Sequence, residues 1–431
     1  MGERPAGSLK EAMEGGTIIV IAGAVLAYAL VSKRLSAGVL TPPLAFVVVG
    51  MVCGAGGLGL IELAPGHEAI NILAELTLIL VLFGDATRID LKALSRERGL
   101  PVRLLALGLP LTIALGAALA WVCIPGISGW EAALIGAVLA PTDAALGQAV
   151  VNNERVPARI RQALNVESGL NDGIALPIVL VFASMAVSMG TGSSGETTAH
   201  WLTFAGKQII FGPLAGIALG ILGAKVATFA RSRGAMSKEF EKLGAMAMAL
   251  LTFELAEAIG GNGYIAAFVA GMTLGNLARP FTHCVHEFLE TEGQLLMLLV
   301  FLLFGSVFVW PALHSATPLL VVYALLSLTL VRMVPVSISL LGAHLKPITH
   351  LFLGWFGPRG LATVLYGLLI LDEYATPHSE ELFTVAVLTV LFSVVAHGMS
   401  AAPGARAYAR TFEDAESTMP EHLEVTHHPT R

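Results

Sequence analysis

Charged residues are scarce in this chain. Only 13% of its 431 residues are Asp, Glu, Lys or Arg, whereas 55% are hydrophobic. A water-soluble domain carries about a quarter charged residues, because its surface must be hydrated. The composition therefore excludes an ordinary soluble protein and predicts one that is embedded in a membrane.

Cysteine is also rare. The three cysteines are Cys53, Cys123 and Cys284, all in or near apolar segments. Their spacing fits neither a disulfide framework nor a metal site, so each is expected to be an ordinary packing residue. The sequence predicts no cofactor.

Long apolar runs recur along the whole chain, and those of roughly 18–25 residues can each cross about 30 Å of hydrocarbon. Thirteen spans are predicted, at about 17–32, 39–61, 69–89, 101–124, 130–151, 160–188, 200–230, 241–259, 262–277, 287–309, 316–342, 348–372 and 380–402. The ninth run is short and follows a glycine-rich junction, so twelve spans is an alternative. The expected fold class is an all-α polytopic membrane protein.

Lys and Arg are absent from every second loop. The loops after even-numbered spans that lack them are 62–68, 125–129, 189–199, 310–315 and 373–379. The alternate loops are basic, as in Lys33-Arg34 and Arg155. Because basic loops stay in the cytoplasm, we expect a multi-pass protein of the cell (inner) membrane with its N-terminus outside and its C-terminus inside. Residues 1–402 form the transmembrane domain, and residues 403–431 form a short cytoplasmic tail.

Five charged side chains nevertheless lie inside apolar runs. They are the acids Asp143, Glu167 and Asp172 and the cations Arg332 and Arg359. A charge at membrane depth costs several kcal/mol unless it meets a partner, water or an ion, so such residues are functional candidates. An arginine cannot shed its proton and needs acids, carbonyls or water around it.

Helical geometry sorts the polar residues of the sixth span into two rows. At about 100° per residue, Glu167 and Asn171 share one line, and Ser168 and Asp172 share a second line about 100° away. We expect one row to bind a fixed cation such as Arg332 and the other to face a cavity. Carboxylate and hydroxyl oxygens suit a small hard cation. A proton and a metal ion would compete for such a carboxylate, which is the minimum requirement of an exchanger.

Two spans carry helix-breaking residues at mid-membrane. The fifth contains Pro141-Thr142-Asp143, and the twelfth contains Gly357-Pro-Arg-Gly360. Proline removes a helix hydrogen bond and glycine loosens the backbone, so both helices are expected to be broken there. Corresponding interruptions in two halves indicate a binding site in transporters built from inverted repeats. Asp143 and Arg359 could neutralise the half-helix ends, and carbonyls freed near Thr142 could bind a cation.

These motifs resemble those of the monovalent cation:proton antiporter-1 family, of the NhaP/NHE type. The similar stretches are Ala-Pro-Thr-Asp at 140–143, Asn-Val-Glu-Ser-Gly-Leu-Asn-Asp-Gly at 165–173, Leu-Val-Leu-Phe-Gly-Asp-Ala at 80–86, Gly-Tyr-Ile-Ala-Ala-Phe-Val-Ala-Gly at 263–271 and Gly-Pro-Arg-Gly at 357–360. The resemblance covers roughly residues 15–402. It implies thirteen helices in inverted repeats, with helices five and twelve crossed and unwound. It also implies homodimers and electroneutral exchange of one Na⁺, or Li⁺ or K⁺, for one H⁺.

The resemblance also implies roles for individual residues around the transported ion. Asp172 matches the ion- and proton-binding aspartate, and Asn171 beside it organises the site. Ser168, Thr142 and Asp143 match positions that contribute oxygens or stabilise the crossed helices.

Other residues have supporting roles by the same resemblance. Glu167 and Arg332 match a buried salt bridge between helices six and eleven, and Arg359 matches the basic residue at the twelfth-helix break. Asp85 stands at the mouth of a cytoplasmic funnel, where relatives often have Glu. The implied core comprises about residues 69–188 and 287–402, with scaffold and dimerisation helices between them and at the N-terminus.

The expected partners are monovalent cations, protons, the bilayer and a second copy of the chain, with no nucleic acid. A membrane protease is excluded, because the chain lacks a second aspartate motif and offers no base for a catalytic serine. A K⁺-selective antiporter remains an alternative to the sodium exchanger. A sodium-coupled symporter for organic solutes is a further alternative, which requires a roomier polar cavity than a compact carboxylate site.

Overall fold

In the part of the chain that the structure describes, the secondary structure is almost entirely helical. A computed structural model describes residues 6–36, 40–61, 63, 68–91, 99–143, 146–190, 195–279, 285–287, 292–374, 376–412 and 419–422. Within these ranges the β pairing consists of one isolated bridge between Gly54 and Ile61. The predicted all-α class is therefore confirmed.

The described helices fall into thirteen segments in chain order, two of them interrupted. They are α1 (Ala6–Ser36), α2 (Pro42–Cys53), α3 (Glu68–Thr87), α4 (Leu100–Cys123), α5a (Gly129–Val138), α5b (Gln148–Val151), α6 (Ala158–Gly190), α7 (Gly195–Ser232), α8 (Lys238–Ala258), α9 (Gly263–Leu277), α10 (Gln294–Ser315), α11 (Pro318–Ser339), α12a (Pro347–Trp355), α12b (Leu361–Glu373) and α13 (Ser379–Arg410). A short 3₁₀ turn follows at Pro420–His422.

Seven of these helices are long and apolar enough to cross a membrane by themselves, namely α3, α4, α6, α7, α10, α11 and α13. Shorter apolar stretches occur in α1, α2, α5a, α9 and α12b. The remaining segment, α8, spans 21 residues but carries Lys and Glu near its start and Glu near its end, which lower its mean hydropathy. The architecture is that of a multi-pass membrane protein.

Several predicted spans differ in their limits from the observed helices, and the first, second, tenth and last differ most. The first was predicted at 17–32, whereas α1 begins at Ala6, and the second was predicted at 39–61, whereas α2 ends at Cys53. The tenth was predicted at 287–309, whereas α10 runs from Gln294 to Ser315. The last was predicted to end at 402, whereas α13 continues to Arg410. Its extension has a buried face, on which Tyr408 stacks against Phe352 of α12a with ring centroids 3.9 Å apart. Hydropathy misses this extension because arginines on the exposed face dilute the apolar signal.

The helices around α9 approach so closely that only glycine fits between some of them. A β-carbon at Gly271 would lie 2.1 Å from the carbonyl oxygen of Phe83 in α3, and one at Gly275 would lie 2.2 Å from that of Thr87. Small residues that let backbones touch are the usual means of packing helices in a membrane, where apolar burial gives no advantage over lipid. Two glycines one turn apart therefore define the α3–α9 contact.

We predict that Gly271→Ala lowers the thermal stability of the detergent-solubilised protein. The obstructing atom belongs to the backbone, so α3 and α9 must move apart, at a cost of about 1–3 kcal/mol typical of overpacking. Gly206→Ala in α7 is the matched control, since a β-carbon there meets no atom within 4 Å. Equal melting temperatures for the two variants would contradict the close approach.

Candidate functional site

The fifth and twelfth helices are both interrupted where the sequence predicts. Ser128 begins α5a with a capping box, in which its side chain and that of Glu131 each accept a backbone N–H of the other. This helix ends at Val138, and α5b begins only at Gln148. In the other half, α12a ends at Trp355 and α12b begins at Leu361. Each gap contains a proline, which cannot donate the hydrogen bond that would continue the helix.

Asp143 joins the two interruptions. Its backbone N–H donates to the carbonyl oxygen of Pro358 (2.7 Å), and its Oδ2 accepts the backbone N–H of Leu361 (3.0 Å). Leu361 is the first residue of α12b, where a helix carries partial positive charge, so the carboxylate is well placed. Glycine is required at the preceding position, because a β-carbon on Gly360 would lie 2.0 Å from Asp143 Oδ2.

Arg359 makes the reciprocal contact. Its guanidinium is fully buried, and Nη1 donates to the carbonyl oxygen of Pro141 (3.1 Å), just beyond the end of α5a. The C-terminal end of a helix carries partial negative charge, which a cation stabilises. Nε and Nη2 of Arg359 have no hydrogen-bond partner among the described residues. Asp143 of the α5 interruption thus balances the start of α12b, and Arg359 of the α12 interruption balances the end of α5a.

The sixth helix contacts this crossing through Thr142. Ser168 Oγ donates to the Thr142 carbonyl oxygen (2.6 Å), and Asn171 Nδ2 donates to Thr142 Oγ1 (2.6 Å). Both predicted rows of α6 therefore reach α5, instead of one row facing only a cavity. Asn171 is buried, and its Oδ1 has no hydrogen-bond partner in the described part of the chain. The Thr142 carbonyl, the hydroxyls of Thr142 and Ser168, and the amide of Asn171 therefore lie close together.

Asp172 lies one residue further along α6 and is half-buried. Its carbonyl oxygen accepts the hydroxyl of Tyr366 in α12b (2.9 Å), a tyrosine that is fully buried. The next residue, Gly173, faces the ring of Phe268 in α9, which a β-carbon would approach to 2.4 Å. Sequence reasoning missed Tyr366, although a hydroxyl within an apolar run is a signal that could have found it.

Glu167 and Arg332 form a bidentate ion pair, with Nη1–Oε1 and Nη2–Oε2 distances of 2.5 and 2.8 Å. Both residues are 2% exposed. The α12 interruption lies against this pair, because a β-carbon at Gly357 would lie 2.4 Å from Arg332 Nε. The pair therefore ties α6 to α11 next to the α12 interruption.

Asp85 lies in the last turn of α3 and is half-buried. Two residues later, the Thr87 hydroxyl is 3.2 Å from Nε2 of His286. The loop that follows is held to α9, since Asn276 Nδ2 donates to the carbonyl oxygen of Ile89 (2.8 Å). Asp85 thus occupies the end of α3 that the loop charges predict to be cytoplasmic.

A family model described as the transmembrane sodium/hydrogen exchanger matches residues 21–407. The chain belongs to this family. Members of the sodium/hydrogen exchanger family are transporters, not enzymes.

The chain is similar to curated antiporters from bacteria and yeast. It is 27% identical over 387 residues to the K⁺/H⁺ antiporter NhaP of Alkalimonas amylolytica, covering 88% of this chain and 63% of that protein. It is 26% identical over 320 residues to Na⁺/H⁺ antiporter 2 of Zygosaccharomyces rouxii, covering 65% and 39%. The chain thus spans less than two thirds of the length of these relatives.

The fold is also that of a solved antiporter structure. The sodium proton antiporter MjNhaP1 from Methanocaldococcus jannaschii at pH 8 superposes with a TM-score of 0.71 at 21% sequence identity. The match covers 93% of this chain and 99% of that one. The two chains therefore share one architecture from end to end.

We predict that Glu167→Gln or Arg332→Met alone destabilises the protein by about 3–5 kcal/mol, because each leaves an uncompensated buried charge. The double variant should recover much of the lost thermal stability, since no lone charge remains. The exposed pair Lys242–Glu287 (3.1 Å) is the matched control, where removing one partner should cost at most about 1 kcal/mol. A double variant that melts as low as the worse single variant would contradict the coupling.

Proposed function

We propose that this protein exchanges a monovalent cation for a proton across the membrane by alternating access. The observation that carries the proposal is the half-buried acid Asp172 beside a cluster of oxygens at the crossing of two broken helices. Membership of the sodium/hydrogen exchanger family supports it. Na⁺ is the first candidate cation, and K⁺ is the second because the similar Alkalimonas protein is named a K⁺/H⁺ antiporter.

The cation would be held by oxygens of α5 and α6. Asp172 supplies the carboxylate, Ser168 Oγ and the oxygens of Thr142 lie next to each other, and Asn171 Oδ1 is a buried acceptor without a partner among the described residues. Oxygen ligands of this kind suit small hard cations. A bound cation favours the ionised carboxylate, whereas burial without one favours the protonated form. Cation and proton would therefore replace each other at Asp172.

The remaining charges are proposed to have structural roles. Glu167 is occupied by a bidentate contact to Arg332, so it is a poor proton carrier. Asp143 and Arg359 are occupied at the ends of opposite half-helices. Asp85 would attract cations to the cytoplasmic mouth. These assignments leave one acid for the exchange reaction.

The close packing of the site argues against an organic solute. Gly357 and Gly360 leave no room for even a methyl group beside Arg332 and Asp143. A symporter for organic solutes would need a larger polar cavity at this level. The compact crossing favours a desolvated ion as the substrate.

Alternating access would move one body of helices against another. The contacts described above join α5, α6, α11 and α12 into a unit, which we propose to be the moving core. The helices between about residues 189 and 286, with those at the N-terminus, would form the scaffold and the contact surface of a homodimer. The basic loops support a cytoplasmic C-terminus and an external N-terminus in the cell membrane.

The direct test uses everted vesicles that contain the protein and hold an imposed pH gradient. Addition of NaCl, LiCl or KCl should collapse the gradient for the cations that are transported, whereas choline chloride should not. Vesicles without the protein give the background. If none of the alkali cations dissipates the gradient between pH 6 and 9, the proposed exchange is wrong.

We predict that Asp172→Asn abolishes the exchange while expression and assembly persist. Asn keeps the shape of the side chain but can neither release a proton nor neutralise a cation. Asp90→Asn is the control, since Asp90 pairs with Arg279 near the surface, where a lost ion pair costs little. Undiminished cation-dependent proton flux in vesicles with normal amounts of the Asp172→Asn protein would contradict the assignment.

We predict that the exchange is electroneutral. Asp172 is the acid that we propose to exchange its proton for the cation, because Asn171 carries no proton and Asp143 accepts the Leu361 N–H at a half-helix end. One proton should therefore leave as one cation binds. In proteoliposomes, a membrane potential imposed with valinomycin should not change the Na⁺-driven proton flux at a fixed pH gradient, provided that the protein does not itself carry K⁺. A flux that scales with voltage would contradict electroneutral exchange and point to Asp143 as a second proton carrier.

A further inference from the structure

The last transmembrane helix presents a polar stripe to the interrupted twelfth helix. Ser393, His397 and Ser400 follow each other at i, i+4 and i+7, so they share one face of α13. Ser393 is fully buried and His397 is 1% exposed. Polar side chains at this depth are costly unless they find partners, so the stripe requires an explanation.

The stripe holds the α12 interruption on both of its sides. On one side, Ser393 Oγ accepts the backbone N–H of Arg359 (2.7 Å). On the other side, His397 Nε2 is 2.8 Å from the carbonyl oxygen of Trp355, the last residue of α12a. The indole N–H of Trp355 donates to Ser400 Oγ (2.9 Å). Backbone groups released by a helix break must be satisfied within the protein, and here α13 supplies the partners.

The direction of these hydrogen bonds depends on which nitrogen of His397 carries the proton of the neutral ring. Two carbonyl oxygens, which can only accept, are within reach: that of Trp355 lies 2.8 Å from Nε2, and that of Ser393 lies 3.1 Å from Nδ1. We assign the proton to Nε2, which has the shorter contact, so that Nδ1 accepts from Ser393 Oγ at 3.1 Å. Because Ser393 Oγ already accepts the Arg359 N–H, its own proton can point to His397. A chain of three hydrogen bonds therefore runs from Arg359 through Ser393 and His397 to Trp355.

We infer that Ser393 and His397 are positioning residues of the ion site, acting through Arg359. By fixing the backbone of Arg359, they place its Nη1 against the carbonyl oxygen of Pro141. Pro141 is the neighbour of Thr142, whose two oxygens contact Ser168 and Asn171. The arrangement of the cation-binding oxygens on α5 and α6 thus depends on two side chains of α13 that touch no ion.

We call the hydrogen bonds of Ser393 and His397 to the α12 interruption the α13 clamp. Loss of this clamp should weaken cation binding more than it weakens the fold, because the displaced groups are oxygens of the site. This expectation rests on the proposed cation/proton exchange. Ser393→Ala removes a single oxygen without adding volume, and His397→Leu removes both ring nitrogens. His397→Gln keeps a donor in reach of the Trp355 carbonyl. Thr389→Val is the matched control, since the Thr389 hydroxyl is buried one turn away on α13 without a hydrogen-bond partner among the described residues.

The first measurement is cation-driven proton flux in proteoliposomes, with the melting temperature of each variant. Ser393→Ala and His397→Leu should raise the apparent KM for the cation about three- to tenfold, as expected for the loss of one neutral hydrogen bond, with a smaller change in maximal rate. His397→Gln should fall between His397→Leu and the unchanged protein, and Thr389→Val should leave KM unchanged. An unchanged KM in Ser393→Ala, or a KM rise of equal size in Thr389→Val, would overturn the inference.

The second measurement is independent of transport. Hydrogen exchange followed by mass spectrometry should show faster exchange of the amides at 357–361 in Ser393→Ala, and no change there in Thr389→Val. Slow exchange retained in Ser393→Ala would overturn the clamp even if cation transport were established. Faster exchange in a protein whose unaltered form drives no cation-dependent proton flux would support the clamp and refute the proposed function. If His397→Leu fails to assemble, Ser393→Ala alone decides both measurements.

Discussion

The crossing of two broken helices is the constraint on which the rest of this structure depends. Backbone groups at membrane depth must find partners inside the protein, because lipid offers none. Here each interruption satisfies the other. Asp143 receives the first N–H of α12b, and Arg359 donates to the carbonyl of Pro141 beyond α5a. These contacts satisfy the backbone groups at the breaks and also neutralise the charges of Asp143 and Arg359. An irregular segment can therefore persist where a regular helix would otherwise be required.

The charges near the crossing differ in their burial and in the contacts that hold them. Glu167 and Arg332 satisfy each other in a bidentate contact, at an energetic cost that only good geometry offsets. Asp172 is less buried and stands beside oxygens of Thr142, Ser168 and Asn171. In the proposed exchange, these occupied charges would surround the acid at which cation and proton replace each other. The contacts extend to α13, whose polar stripe supports the α12 interruption.

Much of this arrangement could be predicted from local sequence. The spans followed from apolar run length, and the two interruptions followed from Pro141 and Pro358 with their neighbouring glycines. The residues that were missed are Tyr366, which lies singly in an apolar run, and Ser393 and His397, whose helical spacing is visible in the sequence but identifies no partner. Their importance arises from neighbours far away in the chain. The limits of α10 and α13 were misplaced because hydropathy averages over both faces of a helix.

The sequence by itself determined that the chain is a helical protein with many membrane spans, where two helices break and which charges lie in apolar runs, because these depend on run length and on the chemistry of single residues. Only the tertiary structure decided the partner of each charge. From physical reasoning alone, Glu167 had two buried arginines to choose from. In the structure it binds Arg332, while Arg359, 218 residues from Pro141, reaches that carbonyl instead. Such pairings are set by how the helices pack, since contacts between residues so far apart in the chain leave no local pattern in the sequence.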